Sequence, residues 1–193
     1  ALGMMQATKE TSVLAYGAML GAWALLVLWR RCAPDGASPP PRTRPRAAHL
    51  LAAAIPGLAL CTLFLSGFLT HPRGCLDAVL TYVHYLDRAG GAGLHDHPWH
   101  YYLQTLVYAK LGYGAWWSEG LIVGLALVGA AAALAGRCGP GADPKLARFL
   151  ALYTVLLTAA YFVIPYKTPW CLLSFLHGMI LLAGLGAVVL VRL

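Results

Sequence analysis

From Trp170 to Val191 the chain reads WCLLSFLHGMILLAGLGAVVLV, a stretch without Asp, Glu, Lys or Arg and with one ionisable ring, His177. A helix rises 1.5 Å per residue and the hydrocarbon layer of a bilayer is about 30 Å thick, so about 20 apolar residues make a crossing. The apolar positions in this stretch go all the way round a helix. They form neither the single stripe of a surface helix nor the period of two that barrel strands need. Working outward, four more stretches read the same way: Ser12 to Trp29; Ala47 to Leu69, with only His49 near one end; Trp116 to Gly136, with Glu119 near its start; and Phe149 to Ile164. Residues 1 to 8 resemble the tail of a sixth helix, as if the chain were the later part of a longer one. The expectation is an all-α, polytopic transmembrane helical bundle of about five spans, forming a single membrane domain over 1–193.

Composition agrees. Of the 193 residues 60% are hydrophobic and 11% charged, and the mean hydropathy is +0.67. An ordinary soluble domain carries roughly 25% charged residues. Soluble enzyme, disordered chain and nucleic-acid module are thereby disfavoured. The net charge of +7 has its own explanation once placed. Arg30, Arg31, Arg42, Arg44, Arg46, Arg137, Lys145, Arg148 and Arg192 fall in segments that alternate onto one face, against Asp35 and Asp143. The other face balances Lys9, Arg73, Arg88, Lys110 and Lys167 against Glu10, Asp77, Asp87, Asp96 and Glu119. By the positive-inside rule the basic face is cytoplasmic. Loops 30–46 and 137–148 are expected inside and loop 71–115 outside, and the charge calls for no nucleic acid. The Pro-rich segment 30–46 reads as a linker. Within 71–115, Leu76 to Leu86 reads as an interfacial amphipathic helix and Tyr101 to Gly112 as a second short one. Pro56 interrupts the second span, and Gly124, Gly129, Gly184 and Gly186 suit close helix packing. Of the five cysteines, Cys75 and Cys171 alone fall on the outer, oxidising side, where a disulfide between them can be considered.

Three polar stretches collect at the outer boundary: Ala7-Thr8-Lys9-Glu10-Thr11, His95-Asp96-His97-Pro98-Trp99-His100-Tyr101-Tyr102 and Pro165-Tyr166-Lys167-Thr168-Pro169-Trp170. Polar groups at that depth are costly and need partners, which makes them functional candidates. Lys9 and Lys167 with Thr168 suit a phosphate, although a lysine there also snorkels to the headgroups. The two prolines around Lys167 fix a rigid, non-helical turn, which favours the first reading. His95, His97 and His100 with Asp96 could hold a divalent metal, bond to substrate hydroxyls or be merely structural. Trp99, Tyr101, Tyr102, Tyr166 and Trp170 anchor the interface or line a substrate pocket. Glu10, Asp96 and Glu119 are the candidates for a general base. A buried His177 bonded to a neighbouring helix is the plain reading of that residue.

The Ala-Thr-Lys-Glu-Thr stretch, His97-Pro98-Trp99 with Tyr101-Tyr102-Leu103, and Ile164 to Trp170 followed by Leu182-Ala183-Gly184 together resemble one family, the prokaryotic flippase-activity-associated membrane proteins. That family is similar to the dolichyl-phosphate-mannose–protein mannosyltransferases of glycosyltransferase family 39, with the GT-C fold. The resemblance runs over nearly the whole chain, and Pro-Tyr-Lys-Thr-Pro-Trp is its most specific element. It implies a membrane glycosyltransferase that moves a sugar from a polyprenyl-phosphate donor to a glycan or protein acceptor on the outer face of the cell membrane. It also implies that the key acid of such an enzyme belongs to an outer loop upstream of residue 1. The alternative is a non-catalytic transporter or accessory protein for lipid-linked sugars. A channel or ion-coupled transporter would want more charge deep within the spans.

Overall fold

The computed structural model describes residues 11–32, 47–89, 95–110, 113, 116–139 and 141–192. These form helices α1 (Ser12–Cys32), α2 (Ala47–Leu65), α3 (Gly74–Ala89), α4 (Tyr101–Val107), α5 (Gly120–Leu134), α6 (Pro144–Val163) and α7 (Leu172–Val191). Strands β1 (Ala109–Lys110) and β2 (Trp116–Trp117) pair antiparallel between α4 and α5, and a 3₁₀ turn, Pro169–Cys171, leads into α7. Among the described residues four helices are long and apolar enough to cross a membrane: Ser12–Cys32, Ala47–Leu65, Pro144–Val163 and Pro169–Val191. The chain is thus mostly helical and of multi-pass membrane character.

Three expectations change. The span read at Trp116 to Gly136 is a helix of 15 residues, Gly120–Leu134, about 22 Å long, because Trp116 and Trp117 go into β2. The short helix read at Tyr101 to Gly112 stops at Val107, where Tyr108 turns extended. The interfacial helix is longer than Leu76 to Leu86, running from Gly74 to Ala89. The sixth-helix tail at residues 1 to 8, the linker beyond Cys32, and Arg42, Arg44 and Arg46 lie outside the described residues.

Helix boundaries follow local chemistry. α6 starts where the Asp143 side chain accepts a bond from the Lys145 N–H at 2.8 Å, with Pro144 in the first turn, a placement that uses no helical N–H. It ends before Pro165, which disfavours helical backbone at Ile164. α5 ends at Gly136, whose φ of +73° closes the helix: Gly136 N–H donates to Ala133 O and Arg137 N–H to Ala132 O.

The helices pack through small residues, as expected where lipid removes the hydrophobic drive between helices. α1 meets α6 through Ala15, Ala18 and Ala22, and a Cβ on Gly21 would sit 2.9 Å from a Leu156 methyl. α5 and α7 cross in backbone contact. A Cβ on Gly129 would overlap the Leu182 carbonyl, and one on Gly186 would overlap the Leu125 carbonyl. Gly124 and Gly184, read as packing glycines, instead face open space, because each lies on the outward side of its helix.

Gly178 admits the Thr154 hydroxyl of α6, which is buried with no hydrogen-bond partner among the described residues. Gly178→Ala should therefore destabilise the bundle by about 1–3 kcal/mol, and adding Thr154→Ala should restore most of the loss. Thermal unfolding of the two variants in detergent checks this.

Two cores define the ends of the bundle. One joins Ala15, Ala18, Tyr102, Leu106, Leu157, Tyr161, Leu172 and Phe175. The other joins Ala126, Ala133, Cys138, Ala147, Ala151, Leu182 and Ala183. The start of α1, the end of α6 and the start of α7 therefore share one end. The described basic residues Arg30, Arg31, Arg137, Lys145, Arg148 and Arg192 belong to the opposite one. α2 has no buried residue. It joins α3 through a tight turn in which Ser66 Oγ donates to Leu63 O and accepts from Leu69 N–H.

Candidate functional site

At the first end, two of the three polar stretches are hydrogen-bonded to each other. Asp96 and Tyr166 form an antiparallel bridge. His97 N–H donates to Pro165 O at 3.1 Å, and Lys167 N–H donates to His95 O at 2.9 Å. The local sequence explains the pairing. Pro165 and Pro169 keep the 164–170 turn out of helix, Pro98 does the same after His97, and two extended strands with free N–H and C=O groups result. Of the third stretch, Thr11 is described. It precedes α1 and accepts from Leu14 N–H, and so enters the bundle at this same end. Lys9 and Glu10 lie outside the described residues.

A second tie locks the bridge from below. Tyr102 is fully buried; its hydroxyl donates to Thr168 O and accepts from Thr168 N–H, each at 3.2 Å. Its ring packs against Tyr161, Phe162 and Phe175 at centroid distances of 6.4, 6.3 and 5.5 Å. Removing this hydroxyl would take the partner from the Thr168 N–H, at about 1–3 kcal/mol, while Thr168 O would keep the Cys171 N–H at 3.0 Å. Tyr102→Phe should accordingly lower the unfolding midpoint, with the loss localised by faster amide exchange at Thr168.

Lys167 and Thr168, the described phosphate candidates, both lie inside: Lys167 is 1% exposed and Thr168 3%. The Lys167 ammonium donates to Ile164 O at the end of α6, where helix carbonyls lack partners and the dipole is negative. The Thr168 hydroxyl lies 3.2 Å from Cys171 Sγ. Burial holds the Lys167 pKa below its ordinary 10.5, with Asp96 acting in the opposite direction. Between that lowered value and 10.5 the unfolded chain binds more protons than the folded one, so this residue's contribution to stability grows as pH rises. Lys167→Met should remove that alkaline gain, as read from chemical unfolding at a series of pH values.

The aromatic groups split into two sets. Tyr102 and the half-buried Tyr101 and Tyr166 belong to the inner wall, while Trp99 and Trp170 are 65% and 61% exposed. The histidines do not form a metal centre. His95 lies edge-on to Tyr166 at 5.3 Å, His97 stacks on Tyr101 at 4.0 Å, and His100 meets Trp99 edge-on at 5.5 Å. Each ring has its own aromatic neighbour, and no set of three or more His, Cys, Asp or Glu able to hold a metal occurs among the described residues. The divalent-metal reading of His95, His97 and His100 thus has no ligand cluster behind it among the described residues.

The other candidates lie elsewhere. Glu119 precedes α5, its N–H donating to Leu106 O at 2.7 Å. His177 is not buried between helices; it stands exposed on the second turn of α7. Cys75 and Cys171 are both free thiols, so no disulfide links them. Ile164 O is the participant that sequence reading missed; the proline after it signalled the end of a helix without saying what would cap it. Comparison of the chain with protein-family models, with curated proteins and with solved structures finds no match.

Proposed function

We propose that this chain is a membrane domain of a GT-C-like glycosyltransferase, akin to the flippase-associated family it resembles. On this reading it takes a sugar from a polyprenyl-phosphate donor and passes it to an acceptor hydroxyl at the outer boundary. The observation that carries the reading is the antiparallel bridge, which fixes an almost fully buried lysine next to an exposed carboxylate at one end of a membrane bundle. A desolvated ammonium favours a strong anionic partner. A phosphate that displaces Ile164 O would exchange a neutral acceptor for a charged one, a bond roughly twice as strong. Transfer would then be direct displacement at the anomeric carbon. The sugar–phosphate bond breaks as the acceptor oxygen attacks, the departing phosphate keeps the electron pair and is stabilised by Lys167, and a carboxylate accepts the acceptor's proton. That role we give, in place of the upstream acid that the resemblance implies, to Asp96, the candidate that the bridge holds beside Lys167. Trp99 and Trp170 would flank the sugar or the first units of the lipid. Lys9 would add a second charge to the phosphate. The basic residues at the far end support, by the positive-inside rule, a cytoplasmic position for that end and an outer one for the site.

The test uses the full chain in proteoliposomes with a polyprenyl-phosphate sugar. Transfer should be seen, and Asp96→Asn should lower it by about a hundredfold or more, within the range for loss of a general base, while donor binding persists. Donor bound by the unaltered chain with no transfer would make this a carrier or accessory protein instead. Neither binding nor transfer overturns the proposal.

A further inference from the structure

α5 is too short to cross a bilayer alone, yet it lies inside the bundle. Its register against α7 gives its depth. Gly129 nests between Leu182 and Gly186, and Gly186 between Leu125 and Gly129. Val123 near the start of α5 packs on the core that holds Leu172 and Phe175 near the start of α7, and Gly139 beyond the end of α5 faces Val188 and Arg192 at the end of α7. The two helices therefore run in the same direction, with Gly129 close to Gly186 and Leu125 close to Leu182 in level. On that register α5 begins level with His177, roughly 8 Å below the start of α7 at 1.5 Å per residue.

The space above it is filled by α4. Tyr102 and Leu106 of α4 share a core with Leu157, Tyr161, Leu172 and Phe175, the outer turns of α6 and α7, and Val123 of α5 packs against the same core. The two short helices are joined across their gap: Glu119 N–H donates to Leu106 O at 2.7 Å, and the Ser118 hydroxyl donates to Val107 O at 2.8 Å. The first of these takes the place of the turn-to-turn bond of an unbroken helix. The helices hold 7 and 15 residues. Stacked, they reach about 33 Å, enough for the roughly 30 Å hydrocarbon layer. Broken helices are tolerated at membrane depth when the freed backbone groups find partners within the protein, and Leu106 O, Val107 O and the N–H groups of Glu119 and Gly120 find them here.

We infer that Tyr101–Val107 and Gly120–Leu134 form one discontinuous membrane crossing, and that the paired strands Ala109–Lys110 and Trp116–Trp117 at its break lead back outward to the outer-leaflet lipid headgroups. The described part of that hairpin is built for such a boundary. Tyr108 and Trp116 are 49% and 61% exposed and meet edge-to-face at 4.6 Å, and Lys110 sits over the Trp116 ring at 4.8 Å. Exposed aromatic rings carrying a single cation match the headgroup layer, where apolar surface and phosphate meet. The crossing would add a fifth to the four candidate spans among the described residues, and it does not depend on the proposed sugar transfer.

Depth measurement by spin labelling tests this in the full chain, in vesicles, with the native cysteines replaced. Labels at Leu103, Val107, Leu121 and Leu127 all replace lipid-accessible side chains, so the core is left intact. Accessibility to oxygen relative to a water-soluble nickel chelate should rise from Leu103 through Val107 to Leu121 and be about equal at Leu121 and Leu127, which fall on either side of the midplane at 1.5 Å per residue. A label at Tyr113 should return to the headgroup value. The inference is overturned if Leu103 and Val107 give the water-phase value. It is also overturned if Tyr113 behaves as in free water, or if Tyr113 is shielded from both relaxers, which would mean that protein covers the hairpin.

Discussion

Gly129→Ala and Gly186→Ala should each break the contact between α5 and α7 and lower stability by about 3 kcal/mol or more, the upper part of the range for overpacked interiors. The cause is the neighbour's identity. At both positions the added methyl would meet a carbonyl oxygen of the opposite backbone, and a backbone cannot rotate away as a side chain can. The helices must part, and with them go the close contacts that hold a lipid-embedded pair together. Gly124→Ala and Gly184→Ala add the same methyl into open space and should leave stability unchanged or raise it slightly, since alanine favours helix. Thermal unfolding of the four variants in one detergent separates the pairs. Equal effects at all four would mean that α5 and α7 do not cross at Gly129 and Gly186.

If the proposed transfer is this chain's activity, Lys167→Ala should abolish turnover of a polyprenyl-phosphate sugar, a fall of a hundredfold or more as for loss of a charge-stabilising group, while the chain still inserts into the membrane. Part of its effect on stability has a separate origin, because Ile164 O loses its donor at a buried helix end, at about 1–3 kcal/mol. Lys167→Arg tells the two apart. It keeps a charge able to meet phosphate, so it should retain some turnover even where the altered shape strains the turn. Full activity in the alanine variant would remove Lys167 from the mechanism.

Much of this fold can be read from residue order alone, because lipid imposes a simple demand: long apolar runs become helices. Trp170 to Val191 and Ser12 to Trp29 meet it directly. Trp116 to Gly136 meets it in composition but not in structure, since the pairing of Trp116 and Trp117 with Lys110 and Ala109 withdraws the first turn, and hydropathy has no term for such a long-range partner. The same limit separates Gly129 from Gly124. Both sit in the same apolar helix, and only its rotation against α7 decides which one touches backbone.

At the site, the prolines on either side of Lys167 forecast a rigid turn and the turn is there. Its partner strand at His95 to His97 was legible as polar and interrupted by Pro98, but the register that seals Lys167 beneath Asp96 is a property of the assembled bundle. The histidine spacing suggested a metal because it counts residues. The aromatic neighbours Tyr166, Tyr101 and Trp99, which draw the three rings apart, lie outside that count.

The account rests on three distant polar stretches meeting at one end of the bundle, and two of them are bonded in the structure. The most direct measurement is a spin–spin distance between labels at Lys9 and His95 in vesicles, with a membrane-impermeant reductant reporting sidedness. Both labels should be reduced from the same face and lie within about two helix diameters, roughly 20–24 Å. Labels on opposite faces, or separated well beyond that distance, would contradict it.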